Sequence, residues 1–173
     1  MLNFTKNKGN AKINSFNFHL YFIFISSLFL AQDTKTASQI ESKRMEQYNL
    51  KNGVAISGYD PVAYFTEKKS LKGKKNISTT YMGVVYQFYS HANKQLFIKT
   101  PSQYEPQYGG YCAYAIGLKD EKVKINPKTF EIRDGKHYLF YNSWGTNTLE
   151  LWIKEGAQEL QKKADINWKK RVN

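Results

Sequence analysis

The sequence predicts a small α+β domain, in which a small antiparallel sheet of hairpins packs against a few helices. Stretches that alternate apolar and polar residues, separated by glycine-containing turns, come before stretches with apolar residues at helical spacing. No regular β–α–β alternation is present, so a parallel sheet is not expected. Aromatic residues make up 16% of the chain, which lets a small core bury a large area per side chain.

Residues 1–31 have the features of a secretory signal peptide. Lys6, Lys8 and Lys12 form a basic start without an acid, and residues 20–31 form an apolar run. This run is shorter than the roughly 20 residues that span a membrane. It suits a signal cleaved after residue 31, with an uncleaved anchor as the alternative. We therefore expect an exported protein, periplasmic or secreted.

The rest of the chain is predicted to be a polar tether over residues 32–50, with a short helix, and one domain over residues 51–173. No internal repeat and no low-complexity tract is evident in the sequence. Cys112 is the only cysteine, so an exported form contains no internal disulfide.

The domain is predicted to begin with short elements. Residues 54–56 are expected to form a strand, and residues 58–61 a turn, because the residue before a proline disfavours helix. Residues 62–65 follow as a short apolar element, and residues 68–76 as a charged loop.

Two hairpins are predicted next. The first covers residues 77–89 and turns at Met82-Gly83. The second covers residues 129–141 and turns at Asp134-Gly135, the strongest short hairpin signal. Pairing gives the first hairpin an apolar face of Ile77, Tyr81, Val84, Tyr86 and Phe88, and a mostly polar face of Ser78, Thr80, Val85 and Gln87. The apolar face of the second carries Phe130, Ile132, Leu139 and Tyr141, with His137 opposite Ile132.

Three helices complete the prediction. Ser90 can cap a helix over residues 91–100, with Leu96 and Phe97 turned inward, and Pro101 ends it. The other two cover Thr148–Lys154 and residues 157–169, with inward residues Leu149, Trp152, Leu160, Ala164 and Trp168.

The chain is strongly basic, with a formal net charge of +12. The basic charge is spread along the chain, with one patch at Lys68, Lys69, Lys72, Lys74 and Lys75 and a second group near the C-terminus at Lys162, Lys163, Lys169, Lys170 and Arg171. Such charge favours contact with an acidic membrane surface or a polyanion, unless it only solvates the surface. Export argues against nucleic acid as the partner.

Residues 108–114, with the sequence Tyr-Gly-Gly-Tyr-Cys-Ala-Tyr, contain the most informative side chain. A thiol is the strongest soft nucleophile and soft metal ligand in proteins, so covalent or thiolate chemistry would start at Cys112. As a nucleophile it would need His137 as base, and Asn142 begins an Asn-Ser-Trp-Gly string like that of papain-like proteases. Those enzymes place their histidine much further from the cysteine, which disfavours a hydrolase here.

Two other interpretations of Cys112 remain open. Thiolate and imidazole suit Zn or Cu, and His91 and His137 are the available imidazoles, but a closed zinc site needs four ligands. A free cysteine also behaves as a small buried hydrophobe. In that case His137 is expected to be a half-buried residue with a satisfied hydrogen bond, and His91 a solvent-facing residue in the first helical turn.

Gly109-Gly110 is expected to form a sharp backbone turn. A ligand pocket near Cys112 is also predicted, provided that this turn meets the turn at residues 58–61. Its lining would come from Tyr59, Asp60 and Tyr108, with Tyr111 and Tyr114 beside the cysteine. Asp60 is the one acid in an apolar segment, so its carboxylate must find donors. Hydrogen bonds to nearby backbone amides of its own turn are the alternative role for Asp60.

Four segments, taken in order, resemble the YHS-domain family: residues 58–65, 86–97, 101–104 and 108–114. Within that family, the chain resembles exported bacterial proteins made of a single YHS-like domain with a Tyr-Gly-Gly-Tyr-Cys-Ala-Tyr motif, over residues 49–168. The resemblance implies a compact α+β module. Metal-associated members of the family carry paired cysteines, but Ala63, Tyr89 and Asn93 stand at or near those positions here. Cys112 is therefore the one cysteine through which the resemblance implies metal binding.

The leading functional hypothesis is therefore an exported, non-catalytic YHS-like binding module. Its partner would be a small ligand, a metal or an envelope protein, and a Cu or Zn ion would bind through Cys112 and His137. The alternatives are a metal or redox protein that uses the Cys112 thiolate, and a cysteine hydrolase.

Overall fold

The computed structural model describes residues 36–172. The predicted signal peptide and the first residues of the predicted tether lie outside the described residues. The chain divides into two compact units, one ending at Gln39 and the other beginning at Ile40. Within residues 36–172, no helix is long and apolar enough to cross a membrane.

The predicted α+β fold is confirmed, with short helices around small, mostly antiparallel sheets. The helices are α1 (36–47), α2 (Ala63–Thr66), α3 (His91–Lys99), α4 (Pro101–Tyr104), α5 (Ala113–Lys119), α6 (Thr148–Lys154) and α7 (Ala157–Val172). The strands are β1 (Leu50–Lys51), β2 (Val54–Ala55), β3 (Lys74–Tyr81), β4 (Val84–Phe88), β5 (Asn126–Arg133), β6 (Lys136–Phe140), β7 (Asn142–Ser143) and β8 (Thr146–Asn147). Two 3₁₀ segments, Ile56–Gly58 and Gln107–Gly110, precede α2 and α5.

Three sheets are present in the described part of the chain. The largest has the strand order β1-β2-β4-β3, in which only the β2–β4 pair is parallel. β5 pairs with β6, and β7 with β8. Both predicted hairpins are confirmed, with left-handed turn residues at Met82-Gly83 and Asp134-Gly135, and Ile132 opposite His137 as expected.

The domain contains an internal structural repeat. Each residue of the second half, which begins at residue 106, corresponds to the residue 52 positions earlier in the first half, which begins at residue 54. A parallel bridge joins Val54 to Val85 in the first half and Pro106 to His137 in the second. The β3–β4 and β5–β6 hairpins have corresponding turns and corresponding registers. Both hairpins also have a register shift at the same place, between 74 and 78 and between 126 and 130.

The segments that lead into the two hairpins correspond as well. The backbone N–H of Asp60 donates to Leu71 O at 2.9 Å, and that of Cys112 donates to Val123 O at 3.0 Å. Asp60 and Cys112 therefore occupy equivalent positions, each just before a short helix.

The prediction of no internal repeat is thus wrong at the level of structure. At the 52-residue spacing, eight of the 36 positions from 54 to 89 carry the same residue, among them Gly58 with Gly110, Tyr86 with Tyr138 and Phe88 with Phe140. The other positions differ, because the two halves share backbone geometry but face different surroundings. The identities are scattered, so they become evident only once the structure gives the spacing.

Two apolar clusters form the core, and β6 lies between them. Leu139 packs in the first cluster, with the side chains of the first half, whereas Tyr138 and Phe140 pack in the second, with α5, α6 and α7. Successive strand residues point to opposite faces, so both faces of β6 are buried. The sequence predicts only one apolar face for this hairpin, and the structure adds the second.

The tether prediction is wrong for residues 40–50, which belong to the compact unit. Arg44 on α1 donates from Nη1 to the carbonyl oxygens of Tyr81 and Met82, at 3.1 Å each. Its Nη2 pairs with the carboxylate of Glu105. These bonds attach α1 to the β3–β4 turn, which the sequence pattern of a polar segment does not reveal.

The predicted helices are largely confirmed. α6 has the predicted bounds, and α7 continues past the predicted end to Val172. On α3, Phe97 is buried as expected, but Leu96 is 39% exposed, so its inward prediction is wrong. Ile56 belongs to a left-handed turn and not to the preceding strand.

Candidate functional site

Two left-handed turns position the residues that the sequence singles out. Their φ values are 51, 51 and 79° at Ile56, Ser57 and Gly58, and 55, 58 and 80° at Tyr108, Gly109 and Gly110. Only glycine adopts this region without steric cost, so each turn ends on one. The next residues are Tyr59-Asp60 and Tyr111-Cys112, which the turns aim into the domain.

Gly109 is required for a second reason. A Cβ built there would lie 2.8 Å from the carbonyl oxygen of Gln47 and 3.1 Å from the indole of Trp168. The predicted sharp turn at Gly109-Gly110 is confirmed, and it brings the chain against α1 and α7.

Asp60 is fully buried, and its carboxylate accepts four hydrogen bonds. Oδ1 accepts from the backbone N–H of Val62 at 2.8 Å and of Ala63 at 3.3 Å. Oδ2 accepts from the backbone N–H of Tyr89 at 2.8 Å and from Nδ2 of Asn93 at 2.7 Å. A carboxylate has about four acceptor positions, so none remains for a ligand. Asp60 joins the start of α2 to the start of α3, and its predicted ligand role is wrong.

Cys112 is also fully buried. Its Sγ lies 3.2 Å from Oγ1 of Thr148, and that hydroxyl donates to the carbonyl oxygen of Tyr141 at 2.9 Å. Because the threonine proton is already used, the S–H of Cys112 is the donor in the contact with Thr148. The geometry is that of a packed thiol, as in the interpretation of Cys112 as a small hydrophobe.

The predicted tyrosine pocket is not formed. Tyr59 packs against the first apolar cluster, whereas Tyr108, Tyr111 and Tyr114 belong to or pack against the second. Tyr108 is buried, and its hydroxyl donates to Oδ1 of Asp165 at 2.9 Å. Burial, together with the charge of Asp165, raises the pKa of Tyr108. The two turns therefore lie in different parts of the core.

His137 differs most from its expected environment. The imidazole is fully buried, with the rings of Tyr64, Phe65 and Phe130 at centroid distances of 4.1, 6.0 and 6.2 Å. Neither ring nitrogen has a hydrogen-bond partner among the described residues. Burial lowers the pKa of His137 from 6.5 to about 3, so the ring is neutral. The expected half-buried, hydrogen-bonded state is wrong because α2 of the first half covers this face of β6.

The predicted Cys112–His137 metal site does not fit these surroundings. Within residues 36–172, no group of three or more potential ligand side chains comes together. The thiol contacts Thr148 and the imidazole contacts aromatic rings, so two candidate ligands of this kind do not supply a zinc or copper site. A nucleophile–base pair needs a hydrogen bond between thiol and imidazole, and neither nitrogen of His137 makes one. His91 is exposed in the first turn of α3, as predicted.

We expect Cys112 to be inert in the folded protein and to contribute modestly to stability. Iodoacetamide should modify it only after unfolding, as read by mass spectrometry. Cys112→Ala should lower the free energy of unfolding by about 1–2 kcal/mol, because a small buried side chain is lost. Cys112→Ser is the matched control, since its hydroxyl can still donate to Thr148. Rapid alkylation of the folded chain would contradict the buried thiol.

A basic groove of about 570 Å³ lies on the polar face of the first hairpin. Its lining residues are Lys51, Asn52, Val54, Ser57, Gly58, Lys72, Gly73, Lys75, Ser78, Val85 and Gln87. All three charged residues in this set are lysines, and Asn52, Ser57, Ser78 and Gln87 add neutral hydrogen-bonding groups. We call this feature the basic groove.

Two glycines, Gly58 and Gly73, let their segments pack closely against Gln87 on the polar face of the hairpin. A Cβ on Gly58 would lie 2.6 Å from Oε1 of Gln87, and one on Gly73 would lie 2.6 Å from the backbone of Gln87. Lys72 is held in place, because Nζ donates to the carbonyl oxygen of Ser57 at 2.5 Å and lies 4.7 Å from the ring centroid of Tyr59. Tyr59, a residue of the predicted ligand pocket, thus contacts the groove lining through Lys72.

Sequence reasoning did not predict the basic groove as a site, although it identified two of its parts, the polar face of the first hairpin and the first lysine patch. The polar face of the first hairpin supplies Ser78 and Gln87, and the lysine patch supplies Lys72 and Lys75. Lys51 comes from β1, which no pattern in the sequence places beside them. Their convergence depends on the parallel β2–β4 pair, whose partners are distant in sequence.

A second cavity, of about 440 Å³, lies between α1 and α7. Its lining mixes apolar residues such as Ile40 and Trp168 with Lys43 and Arg44. Arg44 is already paired with Glu105, so this cavity presents less free charge than the basic groove.

No protein-family model, no curated protein and no solved structure matches this chain.

Proposed function

We propose that this chain is an exported, non-catalytic binding module, of the YHS-like kind that its motifs resemble, and that the basic groove binds an anionic group. The ligand class is a phosphate- or carboxylate-bearing molecule. The observation on which the proposal depends is the convergence of Lys51, Lys72 and Lys75 on one groove whose lining contains no acid.

Electrostatics supports an anion in this groove. Three ammonium groups around one concave surface raise the local concentration of anions, and each can donate to a phosphate or carboxylate oxygen. The hydroxyls of Ser57 and Ser78 lie among the same lining residues. Hydrogen bonds to charged groups are stronger than neutral ones, so an anion gains more here than a neutral ligand does.

The groove is also partly preorganised. Lys72 is fixed by Ser57 and Tyr59, so its ammonium group loses little freedom when an anion binds. The left-handed turn at Ile56–Gly58 is continuous with this wall, and Gly58 allows its close approach to Gln87. A rigid wall beside the two exposed lysines Lys51 and Lys75 suits selective binding of a compact anion.

The internal repeat supports a binding role for this face. Ser78, Val85 and Gln87 on the groove floor correspond to Phe130, His137 and Leu139 in the second half. In the second half that face is covered by the first half of the domain, and it is mostly apolar. In the first half the equivalent face is open and lined by lysines, which suits a charged ligand in place of a packed neighbour.

The test is a titration of the full chain with pyrophosphate, followed by NMR through the amide signals of Gly58 and Gly73. We expect both signals to shift, with an affinity that falls as salt screens the lysines. The double variant Lys51→Gln/Lys75→Gln should weaken binding about tenfold, since two charge-assisted hydrogen bonds are lost. Citrate in a parallel titration separates a carboxylate ligand from a phosphate ligand.

The matched control is Lys169→Gln/Lys170→Gln on α7, which removes the same charge from exposed lysines elsewhere. It should leave pyrophosphate affinity unchanged. Equal weakening by both double variants would mean that net charge, and not the groove, attracts the anion. Unshifted signals of Gly58 and Gly73 at saturating pyrophosphate would also overturn the proposal.

A further inference from the structure

The β7–β8 hairpin displays the most exposed aromatic side chain in the described part of the chain. Trp144 at its tip is 95% exposed. Its neighbours in the hairpin, Ser143, Gly145 and Thr146, are exposed as well. A Cβ built on Gly145 would meet no atom within 4 Å, so the tip projects into open space.

Folding alone does not account for tryptophan at this position. Trp144 has φ of 52° and Gly145 has φ of 76°, the geometry of a type I′ turn. Asparagine is favoured at the first turn position, whereas a bulky side chain with positive φ is an outlier. The chain therefore places its largest apolar side chain where the backbone disfavours it and where no packing is gained.

The tip stands on a well-fixed base. Nδ2 of Asn142 donates to Oγ1 of Thr129 at 3.1 Å, and Nδ2 of Asn126 donates to the carbonyl oxygen of Asn142 at 3.3 Å. On the other side, Asn147 caps α6 by accepting from the N–H of Leu149 at 3.2 Å. These bonds fix the backbone position of the hairpin at both of its ends.

The chemistry of the tip suits a membrane interface. Tryptophan has an apolar body and one N–H donor, and it is enriched where lipid meets water. The segment from Asn142 to Asn147 contains no charged residue, so it can enter the headgroup region without burying a charge. Lys128 is exposed next to Thr129 at the base of the hairpin, and the net charge of +12 attracts the chain to anionic surfaces.

We propose that Trp144 is a membrane anchor, which inserts into the interface of an anionic bilayer and orients the domain on it. One tryptophan gives reversible binding, so the strength of attachment also depends on the basic charge of the surface. This inference is independent of the basic groove, because the groove lining includes no residue of the hairpin.

Tryptophan fluorescence of the full chain tests the proposal directly. The three tryptophans are Trp144, Trp152 and Trp168, so the signal does not come from the apolar run of residues 20–31. Trp152 is fully buried, and Trp168 packs beside Tyr108 and Tyr111. With vesicles of phosphatidylcholine and phosphatidylglycerol, we expect emission to shift to shorter wavelength and brominated lipid to quench it.

The decisive variant is Trp144→Asn, which should lose both the shift and the quenching. It should fold at least as stably as wild type, because asparagine before glycine is the preferred type I′ pair. Lys51→Gln/Lys75→Gln should keep the quenching, which separates this proposal from the groove. Quenching that persists in Trp144→Asn would place the lipid contact at another tryptophan and overturn the anchor. Wild-type emission that vesicles leave unchanged would overturn it in favour of a protein partner. Equal quenching by phosphatidylcholine alone would contradict the anionic surface.

Discussion

Asp60→Ala should lower the free energy of unfolding by about 3–5 kcal/mol, enough to unfold a marginally stable domain. The substitution removes the acceptor for four buried donors, the backbone N–H groups of Val62, Ala63 and Tyr89 and the amide of Asn93. Each donor left unpaired in the core retains its desolvation cost. Urea denaturation followed by circular dichroism measures the loss.

Asn93→Ala is the milder partner experiment, in case Asp60→Ala does not fold. It removes only the donor to Oδ2, so a loss of about 1–2 kcal/mol is expected. Asp134→Asn, in the exposed β5–β6 turn, is the matched control and should be neutral, since both residues tolerate positive φ. A loss below about 1 kcal/mol for Asp60→Ala would show that the four bonds do not support the fold as described.

Stability should also fall by about 2 kcal/mol between pH 8 and pH 5 because of His137. The unfolded chain binds a proton on this histidine below its ordinary pKa of 6.5, whereas burial lowers the pKa in the folded chain to about 3. The folded state is therefore fully favoured above pH 6.5, and the advantage decreases as the pH falls from 6.5 towards 3. Denaturation curves at a series of pH values give the slope.

His137→Phe should remove most of this pH dependence. Neither nitrogen of His137 has a hydrogen-bond partner in the described part of the chain, so an aromatic hydrocarbon of similar shape loses no bond. At pH 8 we expect the variant to be within about 1 kcal/mol of wild type. His91→Gln is the control and should keep the wild-type slope, since His91 is exposed. An unchanged slope in His137→Phe would contradict the burial of a neutral imidazole.

The internal repeat shows how equivalent backbone positions take different side chains in the two halves of the domain. Asp60 and Cys112 are equivalent in backbone position, but Asp60 meets four donors and Cys112 meets one threonine. Val85 and His137 are equivalent too, yet Val85 lines an open groove and His137 lies beneath Tyr64. The same backbone thus forms an open, lysine-lined face in one half and a packed face in the other.

Local signals in the sequence were sufficient for the two longer hairpins and for α3, α6 and α7, whereas β1, α4, α5 and the β7–β8 hairpin were not predicted. The Asp134-Gly135 pair and the alternation around it predict the second hairpin, because turn type and strand period depend on neighbouring residues only. The Ser90 cap predicts the start of α3 for the same reason, and its hydroxyl accepts from the N–H of Asn93 at 3.1 Å. Leu96 was misassigned because its exposure depends on what packs against α3.

The candidate site was less accessible to sequence reasoning. The predicted cluster around Cys112 rested on the two glycine turns meeting, and the structure puts them in different halves of the core. The basic groove was absent from the prediction as a site, although its polar strand face and its lysine patch were both recognised. Lys51 and Lys75 come together only through strand pairing over a long sequence separation.

The sequence by itself therefore determined the α+β class, the two hairpins, the positions of the later helices and the basic charge, since each depends on composition or on residues close in the chain. Only the tertiary structure decided that the domain is an internal repeat, that α1 belongs to it through Arg44, and that His137 and Cys112 are core residues. Burial and convergence depend on contacts between distant segments, and no local pattern of residues contains that information.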